Sequence, residues 1–321
     1  MAWSRRGIKS IVTPPTKTLV TPIKAVQEIH AQALDQDDRI STDEVKWTIG
    51  FLNYFGYLGD KSVEDLKYAD FSKAITTYQK RSGLTGSGVL DQKTANAMQA
   101  PRCGVCDVEP LKMQMRLTGE SQAITAEPKW HKPEIFYYHE EYVGGIPASV
   151  QEDIVATAYG RWSKLCGLKI SCTRDINQAD ILLGVGRGPR NQFDGPGNTL
   201  AWAYLPPGDN RQLQLLYDLD ENWAANLTGA PREVLLENVT CHEGGHTLGL
   251  DHSTIPNALM AAYYDHGTNA PIDPDDATRI AKLYGPPAVL AATAAPTWVV
   301  DHISYPSVDE VALRLKLVGN Q

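Results

Sequence analysis

Positions 242 to 252, reading His-Glu-Gly-Gly-His-Thr-Leu-Gly-Leu-Asp-His, carry the clearest chemical pattern in the sequence. Residues four apart lie on one face of a helix, so His242 and His246 can present imidazoles to one metal ion while Glu243 stands beside the open coordination position. Gly249 permits a sharp turn that a side chain would resist, after which His252 returns as a third ligand. Three protein ligands plus a water molecule predict a hydrolytic zinc centre, whereas four protein ligands would predict a structural one.

The complete spacing matters, because two histidines four residues apart also occur by chance on helices. The series His, Glu, His, Gly, His resembles that of the metzincin zinc peptidases. Met260 stands where that clan has a methionine turn beneath the metal, although an ordinary core methionine would satisfy the same sequence. The resemblance implies one catalytic zinc held by His242, His246 and His252, a zinc-bound water as nucleophile, and Glu243 as general base.

A second motif lies far upstream. Residues 101 to 107, Pro-Arg-Cys-Gly-Val-Cys-Asp, resemble the cysteine switch of matrix metalloproteinase zymogens, with Cys106 where those enzymes have proline. A Cys103 thiolate could fill the fourth zinc position and displace the water that hydrolysis needs. Cys-x-x-Cys is also typical of half a structural zinc site or of a redox pair, but the chain has no second copy. We therefore expect a latent zymogen inhibited by Cys103, in which Cys106 could compete for zinc or pair with Cys103 on oxidation.

The elements that must position these residues resemble those of matrixins over about residues 41 to 285. For residues 129–285 the resemblance implies an α+β catalytic domain, with a twisted mixed five-stranded sheet and three helices. The corresponding segments are a first strand at Lys132–Tyr138, a helix at Val150–Trp162, a buried strand at Ala179–Leu183, an edge strand at Leu200–Tyr204, a zinc helix starting near Pro231 and a last helix from Asp273 to Leu283. Ile154, Ala158 and Trp162 have the spacing of a helix face.

The preceding residues predict a small helical domain. Ser41 to Glu44 form a capping box, a second helix should end near Gly83, and Asp91 should cap a third. Three short helices at 41–100 resemble the peptidoglycan-binding-like prodomain of matrixins. We expect residues 1–40 to be a flexible leader, 101–128 the switch peptide and linker, and 286–321 a Pro/Ala-rich linker and tail that is amphipathic near its end.

The resemblance also implies where the substrate lies. It should extend along the edge strand at Leu200 and Ala201 by strand augmentation. The pocket for the residue after the cleaved bond should lie between the zinc helix and the segment from Met260 to Tyr264. Ala262 stands where many relatives have proline, so the pocket wall is not defined by the sequence.

The metal content differs from that of vertebrate matrixins, which carry a second zinc. The corresponding positions here are Arg187, Pro189, Trp202 and Leu216, and no His or Cys occurs between Arg174 and Thr240. We therefore expect no second zinc. A neighbouring calcium site is expected from hard oxygen ligands, although an acidic surface loop with turn glycines would give the same pattern. Its candidate ligands are Asp194, Gly195, Gly197, Thr199, Asp218 and Glu221.

Composition limits the partners. The chain has 321 residues and a formal charge of -8, so it lacks the basic surface that nucleic-acid binding needs. No apolar run approaches the roughly 20 residues that cross a bilayer. The start lacks the apolar centre of a secretory signal, yet the family resemblance implies an extracellular protein. We also expect a monomer.

Cys166 and Cys172 could form a disulfide, but spacing alone cannot establish it.

Three functions are compatible with these features. The leading one is a latent zinc endopeptidase acting on protein or peptide substrates. The second is a cell-wall glycan-binding protein with an accessory protease domain, and the third is a non-catalytic metal-binding relative. The presence of Glu243 disfavours the third, because that carboxylate is not needed to bind zinc.

Overall fold

A computed structural model describes residues 23–34, 40–112, 114, 127–188, 191–206, 210–264, 271–287, 298–307 and 310–317. The elements of the N-terminal part are helices α1 (Ile23–Leu34), α2 (Thr42–Tyr54), α3 (Tyr68–Arg81) and α4 (Gln92–Met98), followed by the short strand β1 (Arg102–Cys103). The remaining elements are β2 (Glu134–His139), α5 (Ala148–Ser163), β3 (Lys169–Cys172), β4 (Ile181–Gly186), β5 (Thr199–Ala203), β6 (Leu213–Asp218), β7 (Asn222–Ala224), β8 (Glu233–Leu235), α6 (Leu236–Thr247), α7 (Pro274–Tyr284), β9 (Trp298–Ser307) and β10 (Glu310–Leu317).

Helices α2 and α4 of the N-terminal domain begin where their caps predict. Ser41 and Glu44 form the expected capping box at α2, and Asp91 accepts from the Thr94 backbone N–H at the start of α4. The expectation of a flexible leader over residues 1–40 is wrong for α1. Val26, Ile29 and Ala33 belong to the same buried apolar cluster as α2 and α3, because their spacing of three and four residues forms an apolar face.

The catalytic domain is built on a mixed sheet that is extended by one strand. The strand order is β1-β5-β6-β4-β2-β3, with β5 antiparallel to β6 and the other neighbouring pairs parallel. Five of these strands belong to residues 129–285, as expected, and the sixth is the switch-peptide strand β1. Together with helices α5, α6 and α7, this arrangement confirms the α+β fold.

The zinc helix α6 begins later than predicted, at Leu236 rather than near Pro231. Glu233 accepts from the backbone N–H groups of Thr228, Gly229 and Ala230, which stabilises a turn in that region. The next residue, Val234, pairs with Trp223 of β7. The first apolar residues of the predicted helix therefore form strand β8.

Two packing contacts fix the position of α6. Trp162 of α5 is fully buried and donates from Nε1 to the Cys241 carbonyl oxygen at 2.8 Å. Gly249 ends the helical segment with a φ of +96°, and an added Cβ would lie 1.7 Å from the Pro128 carbonyl oxygen. Glycine is therefore required at this turn both by backbone conformation and by space.

Two further expectations concern cysteines and the tail. All five cysteines are free, so Cys166 and Cys172 form no disulfide here. The tail forms an antiparallel pair of strands, β9 and β10, while residues 288–297 of the predicted linker lie outside the described residues. In the described ranges, no helix combines the length and apolar character that spanning a membrane requires.

Candidate metal centre and active site

Four buried side chains from distant parts of the chain converge at one point. The ligand atoms of Cys103, His242, His246 and His252 all lie within 4.8 Å of one another. His246 Nε2 is 3.1 Å from His242 Nε2 and 3.4 Å from Cys103 Sγ. Among the described residues, no other group of three or more His, Cys, Asp or Glu side chains is this tightly clustered.

Each imidazole is oriented through its Nδ1 atom. His242 Nδ1 lies 2.7 Å from the Leu259 carbonyl oxygen, and His246 Nδ1 lies 2.7 Å from that of Leu250. His252 Nδ1 lies 2.7 Å from Asp107 Oδ1. With Nδ1 bound to an oxygen in each ring, the Nε2 atoms are left to face the cluster.

The donor set fits a zinc ion. His252 Nε2 is buried without a hydrogen-bond partner, as a metal-ligating nitrogen would be. Burial lowers the pKa of His242 to about 3 and also lowers that of His246 and His252, which favours the neutral imidazoles that metals need. Burial and the Glu243 carboxylate raise the pKa of the Cys103 thiol, so a thiolate there requires the charge of a nearby cation.

Glu243 lies beside this cluster in a cavity of about 520 Å³. It is almost fully buried and its Oε2 atom has no hydrogen-bond partner. Burial raises its pKa to about 8. A carboxyl group with such a pKa can exchange protons near neutral pH. Leu200 and Tyr264, two of the residues expected from the sequence to contact substrate, line the same cavity.

The switch peptide occupies the edge of the sheet. Cys103 pairs with Ala201 of β5 in parallel orientation, and the Gly104 N–H donates to the Ala201 carbonyl oxygen at 2.8 Å. On the other side, the Cys103 N–H donates to the Ala262 carbonyl oxygen at 2.9 Å. The peptide therefore fills the cleft between the edge strand and the segment after Met260.

Met260 itself does not line the cavity, so the expectation that it binds substrate needs correction. It is fully buried, and a Cβ added at Gly245 would lie 2.4 Å from its sulfur. Its N–H donates to Asp276 Oδ2 at 3.1 Å. Met260 therefore packs beneath the metal-binding helix and supports it.

Sequence reasoning did not assign a role to Asp107, although the residue stands in the switch motif. Its carboxylate accepts from Arg102 Nη2 at 2.6 Å and from the Tyr57 hydroxyl at 2.7 Å. The Arg102 guanidinium lies over the Phe55 ring at 3.5 Å and over the Tyr263 ring at 4.9 Å. Apart from the Arg102–Asp107 pair, these contacts join the helical domain, the switch peptide and the catalytic domain, and no local pattern could have revealed them.

The candidate calcium ligands form a looser set. Gly197 donates its N–H to Glu221 Oε1 at 2.6 Å, and Thr199 donates to Asp194 Oδ1 at 3.2 Å. Asp218 Oδ2 is buried without a partner. Burial raises the pKa of Asp194 and Asp218 to about 6 and that of Glu221 to about 7, so ionised carboxylates here would be stabilised by a cation.

The region that would correspond to a second zinc is apolar. Trp202 and Leu216 are paired across β5 and β6 and belong to a buried cluster with Cys103 and Phe193. Arg187 forms an ion pair with Asp220 at 3.2 Å, and Pro189 lies outside the described residues. Of the three described positions, Arg187, Trp202 and Leu216 offer no side chain that commonly binds zinc.

Comparison with known proteins gives two family matches and a set of relatives. Residues 129–285 match the "Matrixin" family of M10 peptidases, and residues 41–98 match the "Putative peptidoglycan binding domain" family. The chain is 35% identical to matrilysin of Rattus norvegicus over 213 residues, which cover 64% of this chain and 74% of that protein.

Two longer relatives show similar identity. Stromelysin-1 of Mus musculus is 34% identical over 258 residues, or 77% of this chain and 49% of that protein. Interstitial collagenase A of Mus musculus is 37% identical over 233 residues, or 70% of this chain and 46% of that protein. This chain thus spans about half the length of these two relatives. With the buried His and Cys cluster and the mixed sheet that carries it, these similarities establish that the chain belongs to the matrixin family, whose members are zinc metalloendopeptidases.

Proposed function

We propose that this protein is a zinc-dependent endopeptidase made as a latent zymogen. The observation that carries the proposal is the position of Cys103 among His242, His246 and His252, directly beside Glu243. A thiol at that point blocks the place where a water molecule and a substrate carbonyl would meet. Removal of the switch peptide would open both the metal centre and the edge of β5.

In the opened form, a bound zinc ion would lower the pKa of a water molecule and polarise the substrate carbonyl. Glu243 accepts the proton of that water as its oxygen attacks the carbonyl carbon. Glu243 then donates the proton to the departing amine as the peptide bond breaks. Burial raises the pKa of Glu243, which supports the second step because a protonated Glu243 can donate to the amine. The first step needs the ionised carboxylate, which the charge of a bound zinc ion would favour.

The substrate would replace the switch peptide at the sheet edge. The backbone of Leu200 and Ala201 offers hydrogen bonds to an extended chain, and Tyr264 contributes to the pocket wall. The preferred partners are therefore protein or peptide segments that can adopt an extended conformation. We propose an extracellular location, from family membership, and a monomeric state.

We also propose that the loop before β5 and the turn that follows β6 bind calcium together. Asp194, Asp218 and Glu221 would supply carboxylate oxygens, and the carbonyl groups of Gly195, Gly197 and Thr199 would complete the shell. The buried and unpartnered Asp218 Oδ2 atom supports this site. The cation would brace the residues that precede β5, where the substrate binds.

A second candidate function is binding of cell-wall glycan by the helical domain. The match of residues 41–98 to the peptidoglycan-binding family favours it. In the latent protein, however, this domain contacts the catalytic domain through the Tyr78 and Tyr263 hydroxyls at 2.7 Å. Sedimentation of the full chain with insoluble peptidoglycan tests this function, and an unbound chain would argue against it.

The main proposal is tested with three forms of the full chain: the unmodified chain, Glu243→Gln and Cys103→Ser. We expect Cys103→Ser to cleave an unstructured protein substrate without activation, since the serine hydroxyl is a far weaker zinc ligand. The unmodified chain should need prior loss of its pro-segment, and Glu243→Gln should bind zinc yet remain inactive after that loss. Undiminished cleavage by Glu243→Gln would refute the assigned general base.

A further inference from the structure

The hydrogen-bond partners that orient the three histidines come from different parts of the chain. The acceptors for His242 and His246 are backbone oxygens of Leu259 and Leu250, within the catalytic domain. The partner of His252 is the Asp107 carboxylate, which belongs to the switch peptide. Loss of the pro-segment would therefore remove the orienting partner of one histidine and leave those of the other two in place.

The Asp107 carboxylate is itself held firmly. Its Oδ1 atom is 2.6 Å from Arg102 Nη2 and 2.7 Å from His252 Nδ1, and its Oδ2 atom accepts from the Tyr57 hydroxyl. The side chains of Asp107 and His252 are only 3% and 1% exposed. The Asp107 N–H also donates to the carbonyl oxygen of Phe55, which caps α2. The helical domain thus fixes the carboxylate in front of the imidazole.

We propose that Asp107 is a positioning residue for the latent metal centre, holding the His252 imidazole in the orientation in which its Nε2 binds zinc. The switch peptide would then hold the metal in two ways, directly through Cys103 and indirectly through the Asp107–His252 hydrogen bond. A carboxylate bound to the second nitrogen of a ligating histidine fixes its tautomer and raises its basicity. The inference rests on the proposed latent zinc enzyme, and it adds that the pro-segment stabilises the zinc it blocks.

The test measures zinc affinity, by competition with a chromophoric chelator, in full-length chains that all carry Glu243→Gln so that they cannot cleave themselves. Asp107→Asn removes the carboxylate charge. Tyr57→Phe is the matched control, because it removes a hydrogen bond to the other oxygen of the same carboxylate. Both changes are made with Cys103 present and again with Cys103→Ser.

We expect Asp107→Asn to weaken zinc binding about 10-fold to 100-fold in both settings, and Tyr57→Phe, which keeps the carboxylate, to weaken it much less. The chains with Cys103→Ser show whether Asp107 acts on zinc through His252 or only by placing the Cys103 thiol. If Asp107 only placed the switch thiol, its substitution would have no effect once that thiol is gone, and this result would overturn the inference. Equal zinc affinity of Asp107→Asn and its parent in both settings would overturn it as well.

One measurement needs no change at Asp107. In the zinc-loaded Glu243→Gln chain labelled with ¹⁵N-histidine, the Nδ1–H proton of His252 should show a nuclear Overhauser contact to the Cβ protons of Asp107. Zinc binding without this contact would refute the inference and leave the proposed enzyme intact. Failure of the chain to bind zinc at all would instead refute the proposed function together with the inference.

Discussion

Gly245 shows how a single missing side chain shapes the metal centre. It lies on α6 between the first two zinc-ligand candidates, and a Cβ added there would meet Met260 Sδ at 2.4 Å and Trp162 Cζ2 at 3.0 Å. Met260 and Trp162 are both fully buried, so neither can move aside freely. Glycine therefore allows α6 to approach the methionine beneath the metal.

The neighbouring Gly244 provides the matched comparison. Its added Cβ would lie 3.3 Å from Tyr159 Cε1 and 3.6 Å from the next atom, which is close but tolerable packing. Alanine gains about 1 kcal/mol over glycine in a helix, whereas overpacking a core costs about 1–3 kcal/mol. We expect Gly244→Ala to leave the free energy of unfolding unchanged or slightly raised, and Gly245→Ala to lower it by about 1 kcal/mol.

Chemical unfolding of the two variants checks this, in full chains that carry Glu243→Gln and equal zinc. Identical stabilities for the two alanine variants would show that the approach to Met260 is not tight. The experiment also bears on zinc, because a displaced α6 would shift both histidines it carries. Zinc affinity should therefore fall in Gly245→Ala and stay unchanged in Gly244→Ala.

At this scale the sequence predicted the residues that a fixed local spacing can specify. His242, His246 and Glu243 follow from helix periodicity, and Cys103 from its motif. Asp107 was quoted within that motif without a role, because its contacts to Tyr57 and His252 join positions 50 and 145 residues apart. Spacing along the chain contains no information about such contacts.

Among the elements, β1 bears most directly on the proposed function, because it occupies the edge of β5 where a substrate would bind. It runs parallel to β5 and is fixed on its other side by the segment that ends at Tyr264, whose N–H donates to the Pro101 carbonyl oxygen at 2.9 Å. The switch is thus held by strand pairing as well as by its thiol. These two contributions can be separated by a change that leaves Cys103 in place.

Gly104→Ala is that change. An added Cβ would lie 2.7 Å from Thr199 Cγ2 and 3.2 Å from Trp202 Cβ, so β1 would be pushed away from β5. We expect the variant to lose its pro-segment and gain activity sooner than the unmodified chain, although its thiol is intact. Activity against a quenched fluorescent peptide, followed over time, measures this.

Gly144→Ala is the control, since nothing lies within 4 Å of its added Cβ. It should activate at the rate of the unmodified chain. If Gly104→Ala also activates at that rate, latency depends on the thiol alone and the strand pairing contributes nothing measurable.

Element boundaries were predicted well where a cap marks them and poorly where tertiary pairing decides. Ser41 and Asp91 cap helices where the sequence placed them, and the last helix begins directly after Asp273, close to its expected start. Strand β8 was predicted as the first turn of the zinc helix, because its pairing with β7 leaves no periodic signal. Helix α1 was missed although Val26 and Ile29 have the spacing of a buried face.

At the scale of the whole molecule, the catalytic domain and the helical domain have separate cores that meet at the switch. The Arg102 guanidinium, fully buried between Phe55 and Tyr263, is the centre of that contact. If the protein is the zymogen proposed above, its latency would therefore depend on the assembled chain rather than on Cys103 alone. The proposed calcium-binding loop lies next to this contact, because the Arg102 N–H donates to the carbonyl oxygen of Asn198 just before β5.

Calcium should stabilise the molecule in a manner that depends on pH. Burial raises the pKa of Asp194 and Asp218 to about 6 and of Glu221 to about 7. A carboxyl group whose pKa is raised by folding stabilises the folded state below its unfolded pKa of about 4, and this contribution is lost as pH rises through its folded pKa. Without calcium, the loop should therefore destabilise the chain progressively between about pH 4 and 7.

Calcium reverses this loss by binding the ionised carboxylates, and its effect grows as protons cease to compete. The melting temperature of zinc-loaded Glu243→Gln should rise little on addition of calcium at pH 5 and clearly more at pH 8. Asp218→Asn should reduce that rise, because it removes one charged ligand, whereas Glu64→Gln, at an exposed carboxylate of the helical domain, should preserve it. A calcium effect that is equal at both pH values, or unchanged in Asp218→Asn, would place the calcium elsewhere, and the raised pKa values would then reflect burial alone.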